Sequence, residues 1–65
     1  MNKTLNGHFD KPEQAKNTRE DLIAVGIPQD KIFIDEHHQL IKVIIPEEET
    51  RQIEEIFERH QLGKA

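Results

Sequence analysis

A chain of 65 residues with 34% hydrophobic side chains, three phenylalanines and neither tryptophan nor tyrosine can build one small core, with no enclosed reaction chamber beside it. Cysteine and serine are both absent, which excludes disulfides, thiolate zinc sites and thiol- or serine-based nucleophilic catalysis. The net charge of −4 argues against a nucleic-acid backbone as partner, and no apolar run is long enough for a membrane span or a secretory signal, so the expectation is a single soluble cytoplasmic domain over residues 1–65.

From Thr4 to Phe9 the residues alternate, with Leu5, Gly7 and Phe9 on one side and Thr4, Asn6 and His8 on the other, which suits a strand with one dry face. Gly7 weakens that strand or makes room for a helix close above it. A helix is predicted from Asp10 to Gly26. Asp10 can cap its first turn, Glu13 stands three residues on as the other half of a capping box, and Pro12 falls where its missing N–H costs nothing. At the far end Gly26 can take the left-handed conformation, Ile27 can fold back onto Leu22, and Pro28 forbids continuation. Ala15, Thr18, Leu22 and Val25 would form its buried stripe, flanked by Ile23.

The polar run Gln29 to Lys31 leads into a second strand, Ile32 to Asp35, and Glu36-His37-His38-Gln39 separates it from a third, Leu40 to Ile45. If Glu36 faces Gln39, then Ile34 meets Ile41 and Ile32 meets Val43, so inward residues meet inward residues along the hairpin. The same register sets Phe33 beside Lys42 and Lys31 beside Ile44 on the other face. Pro46 then opens a second helix whose Glu47, Glu48 and Glu49 suit the positive end of its dipole. Thr50, Ile53, Ile56, Phe57 and His60 make its inner stripe, Glu55 and Arg59 are spaced for an ion pair, and Gly63 is the expected stop.

The order β-α-β-β-α predicts an α+β fold: a split β-α-β, a truncated ferredoxin-like three-stranded sheet with two helices on one face. Without the last strand of the full fold, the first strand keeps an open edge, and Phe33, Leu40 and Ile44 lie on a face without a helix. Either surface can receive a second copy, so a homodimer is expected, with Phe33, Leu40 and Ile44 as its interface.

The segment Phe9-Asp10-Lys11-Pro12-Glu13-Gln14-Ala15, with Leu22 and Val25-Gly26-Ile27-Pro28-Gln29-Asp30-Lys31-Ile32, resembles the N-terminal domain of the bacterial general stress proteins of the heat-induced stress type. The resemblance covers the first half of the chain and consists mostly of helix caps and core positions. It implies a small stress-associated cytoplasmic domain with no assigned activity and brings no catalytic residues with it.

Four histidines are the only residues that suggest chemistry. The topology gathers His8, His37, His38 and His60 at one pole, with Asp10, Asp35 and Glu36 nearby, and neutral imidazoles with carboxylates are ligands for zinc, nickel or copper. The same pole offers an anion the first helix's N–H groups and Lys11 or Arg59. No His-Glu-x-x-His motif occurs, and adjacent histidines on a strand-like tip point apart. The acidic set Glu47, Glu48, Glu49, Glu54, Glu55 and Glu58 reads as a solvated helix face, since working carboxylates need a pocket that separates their pKa values.

The reading that results is a non-enzymatic interaction module without cofactors, self-associating through its sheet, with an unidentified protein as further partner. The alternative is a metal- or ligand-responsive regulator built on the histidine pole. RNA binding on the open sheet face is a third, for which Phe33 is the sole strand aromatic and the charge has the wrong sign.

Overall fold

Extended and helical segments separate along the chain as caps and periodicity dictate, in a computed structural model that describes residues 1–64. The elements are β1 (Asn2–His8), α1 (Pro12–Ala24), β2 (Ile32–Asp35), β3 (Leu40–Pro46), α2 (Thr50–Arg59) and β4 (Gly63–Lys64). In the sheet they stand in the order β2-β3-β1-β4, each neighbouring pair antiparallel. β3 therefore lies between β1 and β2, which run parallel to each other with α1 as the crossover. This is the expected split β-α-β and an α+β fold.

The hairpin register is the one the inward residues demand. Ile32 pairs with Val43, Phe33 with Lys42 and Ile34 with Ile41. Lys31 lies outside this ladder, in a short 3-10 turn over Gln29–Lys31, so its expected place beside Ile44 in the ladder is not taken up. Leu22, Ile27, Ile32, Ile41, Val43, Ile45, Ile53, Ile56 and Phe57 form one buried cluster, which places both helices on the same face of the sheet. Thr18, also buried, donates its hydroxyl to the Gln14 carbonyl at 2.7 Å and so leaves no unsatisfied group in the core.

Both ends of α1 show how the local code is read. At its start the expected cap is displaced by one residue: Lys11, in extended conformation, precedes Pro12, and the side chain that closes the box is Gln14, not Glu13. Gln14 Oε1 accepts from the Asp10 and Lys11 N–H groups at 2.9 Å each, while its Nε2 donates to the His60 carbonyl at 2.9 Å. A glutamate could accept here but could not also donate, so the tie to the far helix selects the amide. At the end of α1 the expectation holds. Gly26 sits at φ +104°, Gly26 N–H donates to Ile23 O, and Ile27 N–H reaches back to Leu22 O, both at 3.0 Å. Val25, however, is 41% exposed and lies outside the stripe, because the helix has ended before its side chain can turn inward.

α2 follows a 3-10 turn over Glu47–Glu49 and buries Ile53, Ile56 and Phe57, with Thr50 and His60 half-buried. It stops at Arg59, and the left-handed residue that follows stands two positions before the expected glycine. Gln61 takes the left-handed conformation at φ +60°, its N–H donates to Glu58 O at 2.9 Å, and Leu62 N–H donates to Phe57 O at 3.0 Å. The released Gly63 is then free to enter β4, which pairs Gly63 with His8 and Lys64 with Gly7. The edge of β1 expected to be open along its length is thus covered at one end. Leu62 explains Gly7: a Cβ there would lie 2.9 Å from Leu62 Cδ1 and 3.2 Å from a Phe57 ring carbon, so the glycine admits the end of α2. Among the described residues, no helix is long and apolar enough to cross a membrane.

Candidate functional site: the open sheet face and the histidine pole

The alternation that buries Ile41, Val43 and Ile45 sends Leu40, Lys42 and Ile44 to the other side of β3. Cross-strand pairing brings Phe33 opposite Lys42, Asp35 and His8 opposite Leu40, and Thr4 opposite Ile44. Phe33, Leu40 and Ile44 therefore surround one lysine on a face that no helix covers. Phe33 is 50% exposed, and Leu40 and Ile44 are half-buried. This face joins the three residues expected to form an interface into one patch, with a cation at its centre and a carboxylate at its margin.

The backbone segments that carry the histidines do meet at one pole. Phe9 N–H donates to Gln39 O at 2.9 Å, tying the end of β1 to the hairpin tip, and Gln14 links the start of α1 to the end of α2. The imidazoles nevertheless go to different partners. His8 Nδ1 lies 4.0 Å from Asp10, His38 Nδ1 is 2.8 Å from Asp35 Oδ2, and His60 Nε2 is 2.5 Å from Asp21 Oδ2. His37 and His38 do not point apart as a strand would require. They sit in a turn, ring edge to ring face, with centroids 4.9 Å apart. Among the described residues, no three histidine or carboxylate side chains come together as a metal site.

The titration of Asp35 is displaced. Hydrogen bonds from the His38 ring, then from the His38 N–H, hold its carboxyl below the usual carboxylate range. The tip is thereby ordered locally. Asp21, which the residue pattern did not single out, is the other organising carboxylate: it receives His60 and, at 3.8 Å, Arg59, so Arg59 turns to α1 and not to Glu55. The acidic set faces water as expected, with only Glu49 half-buried. A gap of about 370 Å³ between Asp10, Lys11, Gln14, Arg59, His60 and Gln61 marks the pole, but Gln14 already occupies two of the N–H groups that an anion would use.

Comparison of the chain with protein-family models, with curated proteins and with solved structures gives no match.

Proposed function

We propose that this chain is a non-enzymatic interaction module that self-associates through the open face of its sheet. The observation that carries the reading is the triangle of Phe33, Leu40 and Ile44 around Lys42, on a face with no helix over it. A domain this small buries a modest share of its chain; fully burying a large apolar side chain contributes about 1.5–3 kcal/mol, and covering the exposed half of Phe33 contributes roughly half of that. The second copy suits the charge pattern. A two-fold axis lying in the contact plane and passing near Phe33 and Leu40 stacks Phe33 on its counterpart and turns each Lys42 toward Asp35 of the other copy. The histidine pole is left to local structure, with a carboxylate beside each of His8, His38 and His60 and the His37 ring packed on His38.

A stress-related cytoplasmic role follows only from the resemblance over Phe9 to Ile32. The test of self-association is sedimentation equilibrium from low micromolar to millimolar concentration. The reading expects the mass to rise toward twice the 7.6 kDa of one chain, and Phe33→Asp to abolish the rise while leaving the circular dichroism unchanged. A chain that stays monomeric across that range, or a Phe33→Asp variant that dimerises equally well, removes the proposal.

A further inference from the structure

A second surface lies on the opposite edge. In the antiparallel ladder between β1 and β3, the odd-numbered residues of β1 bond inward: Glu47 N–H donates to Met1 O, and Phe9 N–H to Gln39 O. Strand geometry then turns the N–H and C=O groups of the even-numbered residues outward. At His8 they meet β4, but at Asn2 and Thr4 they meet no strand among the described residues. Beside this stretch runs a groove of about 370 Å³ between β1 and α2, with Leu5, Phe57 and Leu62 as its apolar wall and Glu54 and Glu58 on its rim. The two glutamates are one helical turn apart, exposed, and in no ion pair with residues 1–63.

We infer that this groove takes an extended basic segment of a partner protein, added as a strand to the free edge of β1 with lysine or arginine at alternate positions directed to Glu54 and Glu58. Main-chain hydrogen bonds to Asn2 and Thr4 supply the docking, as in other strand additions, and the side chains that alternate toward α2 supply the selectivity. β4 shows that a strand fits antiparallel to β1 at this edge, and the groove continues the line that Gly63 and Lys64 begin. Charge decides between occupants. Two β1 strands paired antiparallel about Thr4 would each bring one lysine, Lys3, but also their own Glu54 and Glu58, so four carboxylates would crowd around two cations. A basic strand brings cations alone. The edge is therefore suited to a heterologous partner, and it stays free when the open face is occupied by a second copy.

The probe is a seven-residue acetylated and amidated peptide with lysine at alternate positions and threonine between them, titrated into the full chain while the backbone amide resonances are followed. Saturable shifts are expected at Asn2 and Thr4, with Phe33, Leu40 and Ile44 unmoved. N-methylation of the peptide amides that face β1 should abolish them. The double substitution Glu54→Gln with Glu58→Gln, on exposed positions that leave the fold intact, should weaken binding roughly two- to tenfold. Equal binding of a peptide with glutamate in place of lysine, or shifts centred on the open face, would overturn the assignment. So would edge shifts that follow protein concentration with no peptide present, since those would make the occupant a second copy.

Discussion

The two faces of one sheet, built from alternating residues of the same strands, have opposite fates. On β3, Ile41, Val43 and Ile45 are at most 1% exposed beneath the helices, whereas Leu40 and Ile44, which alternate with them along the strand, are half-buried on a face without cover. β2 shows the split only at its start, with Ile32 buried and Phe33 half in water, while Ile34, on the inner side beside the hairpin turn, is 37% exposed. A period of two thus makes one strand fill the core on one side and leave apolar side chains uncovered on the other. The inner face is specified by volume and the outer by what else is available to cover it.

Substitutions can sharpen that difference. Ile41→Ala empties a fully buried position, and a loss of about 2–5 kcal/mol is expected, most or all of the stability of a domain this size. Urea denaturation should show a collapsed midpoint or a chain unfolded in buffer, and a midpoint near wild type would break the account of the core. Gly26→Val forces a β-branched residue to φ +104° at the end of the helix that roofs this face, with an expected cost on the order of 1–2 kcal/mol or more in the same assay. Nothing lies within 4 Å of the added Cβ, so the cost is one of backbone conformation alone. Phe33→Asp should shift the stability of the monomer by no more than about 0.5 kcal/mol while removing self-association, the reverse of Ile41→Ala.

The smallest effect belongs to the rim of the outer face. Because hydrogen bonds from His38 depress the Asp35 pKa in the folded chain, their stabilisation is present above the ordinary carboxylate range and is lost as pH falls through the lowered folded value. Asp35→Asn should therefore flatten the acid limb of a stability-against-pH profile slightly and leave the neutral region nearly unchanged. An identical acid limb in wild type and variant would remove Asp35 from that account.

Much of the fold was legible because local and global signals agree. Gly26, Ile27 and Pro28 write one helix stop three times over, and the hairpin register is the only one that keeps Ile32, Ile34, Ile41 and Val43 on a common side. The misreadings arose where two local patterns competed and a distant contact chose. Asp10 with Glu13 and Lys11 with Gln14 both have capping-box spacing, and the bond from Gln14 to His60 O decides between them. Gln61 and Gly63 both stand near the end of α2; the packing of Leu62 over Gly7 fixes which residue turns left-handed, and β4 follows from it. Of the candidate sites, the outer patch was legible from alternation alone. The partners of the histidines were not, since Asp21 meets His60 across 39 residues of sequence.

The most direct test of the central claim is an isotope-filtered nuclear Overhauser experiment on an equal mixture of labelled and unlabelled chains at high concentration. Self-association through the open face predicts intermolecular contacts from the Phe33 ring to Phe33, Leu40 and Ile44 of the other copy. Intermolecular contacts confined to Asn2–Asn6, or none at a concentration where the mass has doubled, would contradict it.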